Sequence, residues 1–166
     1  MDGGLGLVLR GLGDATFEPL WPRASGVLVT GDAKALTQAD LNGDGRLDLL
    51  VSRNDARVAA FELGAPERGR VITVRLVGPA GDPTSVGARV TLHSARGRRQ
   101  TAEVTAGGGY LSQSAAALAF GLEAGDTISR ISVRWPDGKE EDLSPQLGAD
   151  GTIRVLHSSL AAPKQP

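Results

Sequence analysis

The chain has 166 residues, 40% of them apolar and only 4% aromatic, with 23 glycines, a net charge of −1 and no cysteine. That length holds one medium domain or two small ones. The small net charge excludes an electrostatic nucleic-acid footprint, and the lack of cysteine excludes disulfides, thiolate metal sites and cysteine nucleophiles.

The first residues, MDGGLGLVLRGLGD, carry an acid at position 2 and a glycine-broken apolar run, which is not a secretory signal. Leu5 to Arg10 alternates as a short strand, Gly11 to Asp14 turns, and Thr16 to Glu18 resumes before Pro19. Lys34 to Leu41 predicts a strand, Leu47 to Ser52 another, and after an Asn54, Asp55 turn Arg57 to Leu63 a third. Residues 64–69, with Pro66 between two glycines, read as a linker. Beyond it the alternation is cleaner, with strands predicted at Val71 to Val77, Ala88 to His93, Arg99 to Thr105, from Tyr110 onward, Ile128 to Trp135, Lys139 to Leu143 and Thr152 to His157. Pro136, Asp137 and Gly138 supply a turn. Residues 158–166 read as a flexible tail. No segment reaches the length of a membrane-spanning helix, so no membrane insertion is expected.

The segment that joins the strands predicted at Lys34 to Leu41 and Leu47 to Ser52, ADLNGDGRLDLLV, holds the sharpest signal. Asp40, Asn42, Asp44 and Asp48 place oxygen-bearing side chains at calcium-loop spacing, and Gly45 permits the sharp turn. The backbone carbonyl of Arg46 is the expected fifth ligand, with its side chain pointing outward. An EF-hand is excluded, because the twelfth loop position is Val51 rather than Glu and the exit reads as a strand. Three carboxylates and an amide suit Ca2+ as a structural ion. A loop of the weak extracellular kind implies an extracellular or periplasmic setting, with this chain as the C-terminal piece of a longer exported protein.

No catalytic set emerges. His93 and His157 lack a partner at metal-ligand spacing, and Ser112 and Ser114 lack a glycine-flanked nucleophile elbow. Glycines 107 to 109 lack the Lys and Ser or Thr of a phosphate loop and read as a turn. Arg96, Arg98 and Arg99 form a basic hairpin tip that keeps a sheet from pairing edge to edge. Trp135 reads as a core or edge-packing residue.

GDATFEPL and ADLNGDGRLDLLVSRND resemble the strand turn and calcium loop of FG-GAP or VCBS-type β-propeller repeats, and this covers residues 1–63. RVITVRLVG, SVGARVTLHS, TAEVTAGGGYLSQSAAALAFGL and ISVRWPDGKEEDL resemble the ASPIC/UnbV domain over residues 70–157. In this chain Pro83, Thr84 and Ser85 stand where that domain commonly has an Asn and an acidic residue. The resemblance implies an all-β protein, one propeller-type blade followed by an antiparallel β-sandwich. It also implies a non-catalytic calcium-binding adhesion or interaction module with a protein or glycan partner. One blade cannot close a propeller, so upstream blades or a second chain are expected against residues 1–63. The alternative is an enzyme or accessory domain acting on polysaccharide or in secondary-metabolite biosynthesis. It predicts a pocket joining titratable groups from Glu103, Tyr110, His93 and Arg89.

Overall fold

A computed structural model describes residues 4–64 and 69–160, so the ends of the chain and residues 65–68 of the expected linker lie outside the described residues. The all-β class is borne out. Strands β1 (Val8–Gly11) and β2 (Phe17–Leu20) form an antiparallel ribbon in which Pro19 faces Leu9. Proline is tolerated there because a two-stranded ribbon leaves one side of each strand unpaired. A one-turn helix, α1 (Pro22–Ser25), follows, opened by its proline and closed by Gly26 at φ 71°. Next come β3 (Ala33–Ala39), β4 (Asp48–Arg53) and β5 (Ala56–Phe61), an antiparallel meander. Its small core is Val27, Val29 and Val51, flanked by Leu49 and Phe61. Several large apolar side chains of this half, among them Leu7, Leu9, Phe17 and Trp21, remain exposed.

The remaining strands are β6 (Arg70–Val77), β7 (Arg89–Ser94), β8 (Arg99–Glu103), β9 (Leu118–Leu122), β10 (Ile128–Arg134), β11 (Glu140–Leu143) and β12 (Thr152–Leu156). They form two sheets, β11-β10-β7-β8 and β12-β6-β9. Alternation decides which side chains face inward. Val90 and Leu92 on β7, and Ile131 and Val133 on β10, are buried against Ile72, Val74 and Phe120 of the other sheet. All pairs are antiparallel except β12 with β6, which run parallel from Thr152 opposite Thr73 to Leu156 opposite Val77. The strand expected from Tyr110 begins instead at Leu118. Leu111 sits at φ 48°, in the left-handed region, and residues 112 to 115 turn aside to lie along β3.

Trp135 is 2% exposed and meets buried His157 edge-on, with ring centroids 4.8 Å apart. His157 pairs through Nε2 with Asp137 Oδ2 at 3.2 Å and through Nδ1 with Ser159 Oγ at 2.7 Å. The imidazole therefore ties the Pro136–Gly138 turn to the end of β12, and Ser158–Leu160 closes as a 3-10 turn. Residues 161–166 of the expected tail lie outside the described residues.

Four aspartates of this sandwich have carboxyls held below the ordinary range, among them Asp150, lowered chiefly by the Thr152 backbone N–H. Asp126 is lowered chiefly by the Ser94 hydroxyl, Asp137 by the Lys139 backbone N–H, and Asp142 by the Ser132 hydroxyl, with Arg130 adding. A depressed folded-state pKa contributes stability that is fully present above the unfolded value, about 3.9, and is lost as pH falls through the folded value. Melting temperature followed by circular dichroism should therefore fall steeply only below about pH 4. Asp142→Asn should flatten part of that fall.

Candidate functional site

The loop between β3 and β4 is wound by its own side chains. Asp40 accepts hydrogen bonds from the N–H groups of Gly43 (Oδ1, 2.7 Å) and Gly45 (Oδ2, 3.0 Å). Asn42 Oδ1 accepts from Asp44 N–H at 3.1 Å, and Asp44 Oδ1 from Arg46 N–H at 2.9 Å. Such Asx turns fold the chain tightly, and Gly43 (φ 79°) and Gly45 (φ 81°) take the left-handed positions this demands. Asp48 is fully buried and divides its two oxygens between Leu41 N–H (3.0 Å) and Leu63 N–H (2.8 Å), joining the loop's entry to the end of the third strand of the meander.

The Arg46 side chain does not point outward. It pairs with Asp44 Oδ2 and donates through Nε to Leu63 O at 2.9 Å, because the loop's concentrated negative charge attracts the nearest cation. The Asp44 carboxyl is held low chiefly by the Arg46 backbone N–H, with the Asn42 amide and the Arg46 guanidinium adding. Asp40, Asn42 and Asp44 thus share one turn, while Asp48 is engaged beneath it. Among the described residues no three His, Cys, Asp or Glu side chains are gathered into a metal-holding group. The donor chemistry nevertheless fits a hard cation. The set is all oxygen, and a carboxylate keeps acceptor capacity beyond one hydrogen bond per atom.

The loop rests on the sandwich. Thr73 Oγ1 of β6 donates to Gly45 O, and Arg75 Nη2, two residues on, lies 4.0 Å from Asp40 Oδ2. The Gly45 α-carbon is packed so closely on the Asp150 carbonyl that a Cβ would overlap it, with Thr152 Oγ1 3.3 Å from the same point. This junction had no signal in the sequence, since its members lie far apart along the chain.

A second contact joins the halves. Residues 112 to 115 run beside β3, with Ser112 Oγ donating to Leu36 O (2.8 Å), Thr37 Oγ1 to Gln113 O (2.6 Å), Gln38 N–H to Ser114 Oγ (3.1 Å) and Ala115 N–H to Gln38 O (2.8 Å). The open edge of the meander is thereby covered at β3. Between β3, the end of β8 and this loop lies a cleft of about 340 Å³.

The residues singled out for a catalytic reading do not converge. Arg89 pairs with Glu103 at 3.1 Å on the outer face of the four-stranded sheet, over a groove of about 600 Å³. His93 lies on the same face, its Nε2 3.4 Å from both Arg130 Nη2 and Ser132 Oγ. Ser132, however, donates to Asp142 at 2.6 Å, and Arg130 pairs with that same carboxylate at 3.0 Å. A serine bonded to the acid in this way is not the hydroxyl–imidazole–carboxylate order of an activated nucleophile. Tyr110 stands apart, exposed on the glycine loop. Of the basic tip, Arg98 and Arg96 both reach Glu123, at 2.6 and 3.7 Å. No helix among the described residues is long and apolar enough to cross a membrane.

No curated protein matches the chain. A family model described as ASPIC and UnbV matches residues 78–161, from the loop after β6 to the end of the 3-10 turn. Because that match spans half of the sequence and takes in every strand of the sandwich after β6, the chain belongs to the ASPIC and UnbV family.

Proposed function

We propose that this protein is a non-catalytic, calcium-binding interaction module of an exported protein, working in an extracellular or periplasmic setting with a protein or glycan partner. On this reading residues 1–63 are one FG-GAP/VCBS-type blade, joined through residues 64–69 to the ASPIC/UnbV sandwich at 70–157. The observation that carries it is the loop wound by Asp40, Asn42 and Asp44 and seated on β6 and β12. Asp40, Asn42, Asp44, Asp48 and the Arg46 carbonyl would hold the ion, and Ca2+ would neutralise charge and fix the loop, with no reaction at the metal. The self-paired charges of the outer sheet face support the non-catalytic part. The open apolar side chains of the first half, Leu7 and Phe17 among them, support upstream blades or a second chain packing there.

Calorimetric titration with calcium tests the reading. One site with a Kd on the order of 10⁻⁴–10⁻³ M is expected. At a hundred times that Kd, binding should add about 2.7 kcal/mol to stability. Asp44→Ala should abolish both the heat and the rise in melting temperature. No heat on titration and no melting shift at a hundred times that Kd, about 10–100 mM calcium, would reject the calcium assignment.

A further inference from the structure

We infer that the cleft between β3 and the glycine loop binds a neutral saccharide, an inference resting on the reading of the protein as a non-catalytic interaction module. At about 340 Å³ the cleft falls within the range of small-ligand sites, and it lies where two separately cored halves meet. Gly108 and Gly109 line it with backbone, and Gln38, Thr105 and Ser114 bring an amide and hydroxyls to it. The Gln38 side-chain amide makes no hydrogen bond among the described residues, although its backbone N–H and carbonyl are both engaged. It therefore offers one donor group and one acceptor together, the pairing that vicinal hydroxyls match.

Charge and edge geometry narrow the class. The cleft's one ionisable lining group, Glu103, is already paired with Arg89 at 3.1 Å, so an anionic or cationic ligand finds no counter-charge in it. An extended peptide would need an open strand edge, and β3 has the Leu36 carbonyl and both backbone groups of Gln38 already taken by Ser112, Ser114 and Ala115. Tyr110, 70% exposed, stands in the turn between Gly109 and Ser112 and presents an aromatic face with a polar tip. Its neighbour Leu111 is 88% exposed at φ 48°. The Gln113 side chain closes the base of this loop, accepting from Gly107 N–H and donating to Thr105 O at 3.1 Å and to Ser114 O at 3.0 Å. A loop tied at its base loses less freedom when it meets a ligand than an untied one.

Tyr110 is the one tyrosine in the chain, so biosynthetic 3-fluorotyrosine gives a single fluorine NMR signal, one residue along from Gly109 of the cleft lining. Titrating the full chain with cellotriose, maltotriose and triacetylchitotriose should shift that signal for at least one sugar, with a Kd on the order of 1 mM. Gln38→Ala, at a side chain with no partner to lose, should weaken binding about tenfold with an unchanged melting temperature. No shift with any of the three sugars, a shift indifferent to Gln38→Ala, or a shift produced only by a uronate oligosaccharide or an unstructured peptide would overturn the inference. Chromatography of the recovered sugar separates the two readings. Intact sugar with the expected shifts supports both, whereas cleaved sugar leaves the binding site standing and removes the non-catalytic reading.

Discussion

Replacing Asp48 by Ala should destabilise the protein by about 3–5 kcal/mol, because each hydrogen bond to a charged acceptor contributes about 1.5–3 kcal/mol and two buried N–H groups lose their partner. Leu41 N–H follows the first strand of the meander and Leu63 N–H the third, so the carboxylate at the start of β4 ties the ends of the two outer strands together as a side-chain staple. Asp48→Asn, which keeps one acceptor oxygen, should lose roughly half as much. Urea unfolding of both variants in chelator measures the effect apart from any ion. Equal loss in the two variants would mean that charge rather than hydrogen bonding sets the contribution of this residue.

Gly45→Ala should have a comparable effect, about 2–4 kcal/mol, for two additive reasons. The residue adopts φ 81°, which an L side chain takes only at a cost of roughly 1–2 kcal/mol. The new Cβ would also be driven into the Asp150 carbonyl, and backbone on both sides must shift to relieve it. Gly43→Ala isolates the first reason. Gly43 has a similar φ, 79°, and no atom within 4 Å of its would-be Cβ, so only the conformational part should be lost. Hydrogen exchange adds a spatial readout. Gly45→Ala should loosen amides of β6 and β12 as well as the loop, whereas Gly43→Ala should loosen the loop alone.

What could be read from the sequence follows from how local each cause is. Period-two alternation located β6, β7, β10 and β12, since burial on one face of a strand leaves its mark at every second residue. The Pro136–Gly138 turn and the loop glycines were equally legible, because positive φ and fixed φ are properties of single residues. The Leu118–Leu122 strand was missed in favour of Tyr110, where three preceding glycines look like a hairpin turn although the chain is instead bent aside toward β3. Helix α1 is too short for any periodicity to show. The Arg46 side chain was expected to reach solvent, yet the charge it answers is two residues away on Asp44. Within the candidate site the ligand-type residues and their glycine were visible, but the contacts of Thr73, Arg75 and Asp150 with the loop were not. Those depend on a fold that brings distant strands together, as does the meeting of His157 with Asp137.

The parallel pairing of β12 with β6 also bears on how the protein is made. A hairpin can form as soon as its second strand leaves the ribosome, but β6 must wait for the last strand of the sandwich before its second edge is filled. Throughout most of synthesis the nascent chain therefore carries an unpaired edge beside Ile72 and Val74, a template for pairing with another chain. The long sequence separation of that final pairing makes closure slow. Yield in a cell should then depend on how well this one edge is shielded while it waits.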